Sequence, residues 1–251
     1  MKSFFISLII CGIVLLGYSS CEESSGLQDE SDEYEGGIIL TFDDFHFTEW
    51  RQNGFPLFSE YDAKVVFFVD ERYGVDFDFC RDAQDLGHEI GYHTIHHLHA
   101  SILSVEDLLI EAVSHIPMFR EEGIELTTFA YPYGSHSANT NNLLLNYYKV
   151  LRGTAASPYP NYHLYSRNQM KSGFVRSTSL DNYNHRCSDD IFESRVTRIL
   201  TAAKDQKQYM PLITHNIGTT NDWGITLERL EFVLQKCREL ELKFYTFKDL
   251  Q

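Results

Sequence analysis

Positive charge and cysteine are both scarce in this 251-residue chain. Twenty-one lysines and arginines face 36 aspartates and glutamates, for a formal charge of −15. A surface that acidic repels phosphate, which argues against a nucleic-acid partner. Of five cysteines, only Cys80, Cys187 and Cys237 follow Cys21. Three thiols allow at most one bridge, which excludes a disulfide-built scaffold, and their spacing matches no zinc motif. They read as core residues. No apolar run reaches the length of a confident membrane span, since the longest, residues 4–16, is too short. Internal repeats are absent.

What is present divides the chain into three. Residues 1–20 have the form of an export signal: Lys2 supplies the positive start, residues 4–16 the apolar stretch, and Ser19-Ser20 the small residues before Cys21. Gly17-Tyr18-Ser19-Ser20-Cys21 resembles a bacterial lipoprotein cleavage box with Cys21 as the lipidated residue, Tyr18 being bulkier than usual. Cleavage without lipidation is the alternative. Residues 21–37 are acidic and nearly free of apolar side chains, so they cannot bury enough surface to order themselves and read as a tether. The expected location is therefore an exported lipoprotein, periplasmic or cell-surface, touching the membrane only through its lipid. Residues 38–251 suffice for one domain with a full core.

Within that domain strand-like and helix-like segments alternate. Strand signals fall at residues 38–42, 64–69, 89–92, 127–130, 148–151, 174–176, 210–214 and 243–245. Ser104 with Asp107 resembles a capping box opening a helix that runs to Arg120; Ser188 and Thr226 open two more. Such alternation predicts an α/β domain, a distorted (β/α) barrel being favoured over an open doubly wound sheet. Residues 155–172, rich in Tyr, Pro and Asn, have no period and read as a loop over the site.

Two stretches carry chemistry. Ile38-Ile39-Leu40-Thr41-Phe42 runs directly into Asp43 and Asp44. Adjacent carboxylates at the end of a buried strand repel one another, and a metal, a cation or a shared proton would compensate; a solvated Asp-Asp turn is the plain alternative. Residues 93–99 then hold four histidines, and in a helical turn His93 and His97 would project together. Two imidazoles with a carboxylate from another strand end make a three-ligand site for zinc or a similar ion, with positions open for water.

In this order and spacing the motifs resemble the polysaccharide deacetylases of the NodB-homology type, carbohydrate esterase family 4. They are Thr41-Phe42-Asp43-Asp44, Glu89-Ile90-Gly91 before His93-Thr94-Ile95-His96-His97, Phe129-Ala130-Tyr131-Pro132-Tyr133-Gly134, Pro211-Leu212-Ile213-Thr214-His215, and the closing residues 244–250. The resemblance implies a single (β/α) barrel and roles for individual residues. Asp44, His93 and His97 would hold a divalent ion, zinc first and cobalt or nickel as alternatives, with His96 and His99 uninvolved. Asp43 would be the general base and His215 the general acid, with Asp181 its orienting partner. The Tyr133 N–H would serve the oxyanion. Tyr131, Pro132 and Trp223 would meet substrate, and Leu212 or Ile213 the acetyl methyl, one of the two being ordinary core.

The pattern departs from the family in three places. The motif supplying the Asp that orients the acid histidine is indistinct, with Asp181 as its candidate. Phe45 stands where the family usually has Gly, and Ala130 where it often carries an Arg paired with the catalytic Asp. Arg176, at the end of its own strand, is the candidate replacement cation, an ordinary surface arginine being the alternative. The implied activity is metal-dependent removal of acetyl groups, N-acetyl favoured over O-acetyl, from an extracellular or envelope polysaccharide or oligosaccharide by a monomer. The rings of Trp50, Trp223, Tyr131, Tyr159, Tyr162 and Tyr165 would suit a glycan groove. A small-amide hydrolase on the same fold, or an inactive glycan-binding lipoprotein, are the other readings.

Overall fold

Strand β1, Gly37–Asp44, is buried along its length apart from its last residue, and it forms the seam of the molecule. In a computed structural model describing Met1 and residues 36–155 and 162–251, β1 pairs in parallel with both β2 (Val65–Val69) and β7 (Tyr209–Thr214). Between them run β3 (Glu89–Tyr92), β4 (Thr128–Ala130), β5 (Val150–Thr154) and β6 (Gly173–Ser179), each parallel to its neighbours. Seven parallel strands thus close into a barrel with helices around it, in a single domain. The signal region, Cys21, most of the tether and Tyr159 lie outside the described residues.

Side chains alternate along each strand, which sorts the apolar residues into two layers. Ile38, Leu40 and Phe42 of β1, with Met210 and Leu212 of β7, point outward into one cluster with the helices. The surrounding helices are Phe77–Asp85, Val105–Val113, Ala138–Leu144, Asp189–Asp205 and Leu227–Glu239, with shorter ones between. Ile39, Val66, Phe68, Ala130, Val150 and Val175 fill the barrel itself. Gly91 has a packing reason, because a Cβ there would lie 2.4 Å from the Phe68 ring. Phe247 and Leu250 join the interior cluster. Buried Glu89 accepts hydrogen bonds from the Lys248 N–H (2.9 Å) and the Thr128 hydroxyl (2.7 Å), so the last residues close the barrel at the start of its strands.

Three local expectations need correction. The helix predicted to run from Ser104 to Arg120 is two, Val105–Val113 and Ile116–Glu121. Pro117 sits in the first turn of the second, where its missing N–H leaves nothing unsatisfied; within one longer helix it would have broken the ladder. His93 to His97 is an irregular turn rather than a helical one, with Thr94 at φ 76° and His97 at φ 57°. The segment 155–172 contains a helix, Arg167–Lys171, and Tyr165 bridges to Tyr209.

Three short strands complete the described elements. Lys243–Phe244 pairs with the start of β1, and Asn216–Ile217 pairs with Gly224–Ile225 beside the end of β7. The cysteines Cys80, Cys187 and Cys237 are free, the first and last buried. Among the described residues, no helix is long and apolar enough to cross a membrane.

Candidate active site

The C-terminal ends of the strands surround a cleft of about 490 Å³. β1 delivers Asp43 and Asp44 to it. Period-two alternation continues past Ile39 and Thr41, so Asp43 faces the barrel interior and is 2% exposed. The strand ends at Asp44, whose φ of 88° is a strained value for a residue with a side chain.

Asp44 meets the two predicted histidines. Its Oδ1 lies 3.3 Å from His97 Nε2 and 3.6 Å from His93 Nε2, and one ligand atom from each of the three residues falls within 4.8 Å of the others. The His93 Nδ1–H donates to the Ala130 carbonyl at 2.8 Å, which leaves the Nε2 lone pair facing Asp44. Burial brings the His93 imidazole down to about 4, against the pull of Asp43, so the ring is neutral and able to ligate. Burial would raise the Asp44 carboxyl, but the His97 imidazole beside it and the charged His215 outweigh it and keep the group ionised. Asp44 Oδ1 is buried with no aligned hydrogen-bond donor. Two imidazole nitrogens around a buried carboxylate oxygen that accepts no aligned hydrogen bond fit a divalent ion. The other two histidines face elsewhere. His96 Nδ1 is 2.6 Å from Glu111 Oε1, and the His99 ring stacks on Tyr133 with centroids 4.0 Å apart.

The cation beside Asp43 is Arg152, not Arg176. Nη2 of Arg152 donates to both carboxylate oxygens, and the guanidinium is fully buried against the Phe68 ring. Arg152 is in register with Ala130 on the neighbouring strand. The charge absent at Ala130 is therefore supplied one strand further along, at the same level of the barrel. Arg176 is exposed on β6, over the Phe174 ring and 3.4 Å from His136 Nε2. Its side chain follows Val175 by one position, and alternation turns it out of the barrel.

Next to β1, just past the end of β7, His215 Nδ1–H donates to Asp181 Oδ2 at 2.9 Å. Asp181 is 1% exposed and also accepts from the hydroxyls of Thr214 (2.8 Å) and Ser179 (3.1 Å). Burial alone would lower the His215 imidazole; Asp181 beside it, helped by Asp44 and Asp43, lifts it to about 9. His215 is thus a cation at neutral pH. Its carbonyl accepts from the Trp50 indole at 2.8 Å.

Tyr131, Tyr133, Ile213 and Trp223 line the cleft. Tyr133 adopts a left-handed conformation (φ 58°) in the turn Pro132–Gly134. Gly134 follows at φ 62°, where a Cβ would come within 2.3 Å of the Thr154 hydroxyl. Pro132 and Leu212 do not reach the cleft. Pro132 is buried in its turn, and Leu212 points out to the helices while Ile213, next in the strand, points in. Trp50 is completely buried core, whereas Trp223 is 57% exposed and stacks on Tyr183, which is 48% exposed. Tyr162 and Tyr165 are half-buried against the apolar clusters.

Arg72, Thr154, Tyr183 and Asn184 line the site without having been anticipated. Arg72 carried one visible signal, a cation just beyond a strand whose neighbours run into Asp44 and His93.

Comparison with known proteins follows this geometry. Residues 31–149 match the sequence profile of the family described as polysaccharide deacetylase, a span that includes Asp43, Asp44, His93 and His97. A gellan lyase from a Bacillus species is 29% identical over 211 residues, 78% of this chain, but the chain spans only 8% of that protein's length. The structure of a family 4 carbohydrate esterase from Streptomyces lividans, in complex with acetate, superposes with a TM-score of 0.58 at 16% identity, covering 83% of this chain and 91% of that one. A family 4 pseudoenzyme from Bacillus anthracis gives 0.60 at 19% identity, covering 86% and 65%. At these identities the structural likeness is one of fold.

Proposed function

From the premise that this chain carries a polysaccharide deacetylase domain of the NodB-homology type, we propose that it hydrolyses N-acetyl groups of an extracellular or envelope polysaccharide with the help of one divalent ion. One observation carries this reading. The Asp44–His93–His97 cluster shares a single cleft with Asp43, which is paired to buried Arg152, and with the charged imidazole–carboxylate pair His215–Asp181.

Asp44 Oδ1 and the Nε2 atoms of His93 and His97 would hold the ion, zinc first by the donor set, with cobalt or nickel as alternatives. When bound, a divalent ion lowers the pKa of water and polarises a carbonyl. Asp43 takes a proton from the attacking water, held in place by Arg152. The Tyr133 N–H donates to the carbonyl oxygen as negative charge grows on it. His215 gives its proton to the amide nitrogen as the carbon–nitrogen bond breaks, so the products are acetate and a free amine. Ile213 offers an apolar wall to the acetyl methyl, and the exposed Trp223–Tyr183 pair a flat face for a sugar ring. An anchor through Cys21 would keep the domain beside an envelope polymer; labelled fatty acid should enter the wild type and not Cys21→Ser.

Acetate release from chitin oligomers, peptidoglycan, poly-N-acetylglucosamine and acetylated xylan tests the proposal. The metal-loaded protein should release acetate from at least one, lose activity to a chelator and regain it on reloading. Asp43→Asn should lower turnover about 10²–10⁴-fold with metal retained. Near-normal turnover in that variant would overturn the role of Asp43. Glycan binding without acetate release by any metal-loaded form would make this an inactive binding lipoprotein.

A further inference from the structure

Arg72 has no part in that acid–base scheme, yet its guanidinium rests against the metal-binding cluster. Asp70, fully buried just past the end of β2, fixes it. The Asp70 carboxylate accepts hydrogen bonds from the Arg72 backbone N–H (3.2 Å) and Nε (2.8 Å), and Nη2 lies 2.6 Å from Asp70 Oδ2. The Phe45 ring covers the guanidinium at 5.0 Å, with Tyr73 packed on Phe45 at 4.5 Å. Held this way, Nη2 reaches to 3.1 Å from Asp44 Oδ1.

That oxygen is the one nearest Nε2 of both His93 and His97. An arginine serving as an outer support would bond the ligand's other oxygen and leave the metal-facing one free. Arg72 does the reverse. Its contact with Oδ1 also lacks hydrogen-bond alignment, for both atoms are buried without an aligned partner. Two cations at one carboxylate oxygen repel strongly in a partly desolvated cleft. The arrangement is complete as an ion pair only while the metal is away.

We infer that Arg72 is a tethered competitor for the metal position, an inference that rests on the metal reading above. In the metal-free chain it neutralises Asp44. A divalent ion entering between Asp44, His93 and His97 displaces Nη2, and the bond from Nε to Asp70 retains the guanidinium in the cleft. Arg72 therefore stabilises the empty site and weakens the affinity of the loaded one.

Arg72→Met keeps the apolar stem and removes the charge. The chelator-stripped full chain is titrated with zinc against a chromogenic chelator, and its melting temperature is measured with and without zinc. The variant should bind zinc about tenfold or more tightly than wild type, since a competitor reduces apparent affinity by the fraction of open sites. Metal-free, it should melt below metal-free wild type, and zinc should raise its melting temperature by more. Equal or weaker zinc affinity in the variant, with both forms melting lower, makes Arg72 merely structural and overturns the proposal. Should Arg72→Met not fold without metal, Arg72→Gln takes the same test, and zinc affinity equal to wild type overturns the proposal there too. If neither wild type nor variant binds zinc, the metal reading fails and the competition fails with it.

Discussion

Replacing Arg152 by Met removes one partner of an ion pair in which neither side chain meets solvent, the exposures being 0% and 3%. Loss of one partner from such a pair costs about 3–5 kcal/mol, because the remaining charge stays buried without compensation. Against a typical domain stability of about 5–15 kcal/mol the variant should still fold, but weakly. At about 2–4 °C per kcal/mol for a domain of this size, its melting temperature should fall by about 6–20 °C. Urea unfolding of Arg152→Met, Asp43→Asn and the double variant closes a cycle. The double variant should be more stable than Arg152→Met alone, because the charge left stranded is gone. Arg176→Met is the control, exposed and expected to stay within about 0.5 kcal/mol of wild type. An Arg152→Met protein within about 1 kcal/mol of wild type would refute the reasoning, since that is what an exposed pair contributes. So would a double variant no more stable than the single one.

The His215 imidazole is protonated up to about 9, so activity should hold through neutral pH and fall as pH rises past that value. Its folded-state pKa is raised, so the stability drawn from the Asp181 pair is complete below the ordinary histidine range and lost as pH rises through about 9. Asp181→Asn removes the partner that raises it and should move the alkaline limb of the pH–rate profile to lower pH; an unmoved limb would remove His215 from the acid role. Metal content should collapse in His93→Ala and survive in His96→Ala, whose ring is turned to Glu111. The opposite pattern in elemental analysis would show the wrong histidine pair assigned.

Much of this was legible because strands announce their ends. Glu89–Tyr92 fell on the expected residues, and every other barrel strand overlapped its apolar signal with boundaries shifted by a few positions. Asp181 was found by asking what could orient His215, and it lies within hydrogen-bond reach. Arg152 was not found, because its partnership with Asp43 spans 109 positions and exists only once β5 has been placed across the barrel. Sequence spacing offered Arg176 equally well; alternation on a strand starting at Gly173, with Val175 inward, decides against it. The same alternation separates Leu212 from Ile213, which no apolar scale distinguishes. The histidine turn was misread as helical because spacing of four mimics a helix, whereas Thr94 and His97 reach the same juxtaposition through left-handed backbone.

The seam between β1 and β7 sets a timetable for the chain. The Thr41 hydroxyl donates to the Leu212 carbonyl across 171 positions, and contacts that distant form late, because a long loop must close before they bring any return. Asp43 and Asp44 sit on one side of that seam and His215 just past the other. A growing chain therefore displays its acids and metal-binding histidines well before it possesses the imidazole that would complete them. Joining the last strand to the first both finishes the fold and brings the two halves of the active centre together. A chain that ends before β7 lacks both His215 and the strand that β1 pairs with across the seam.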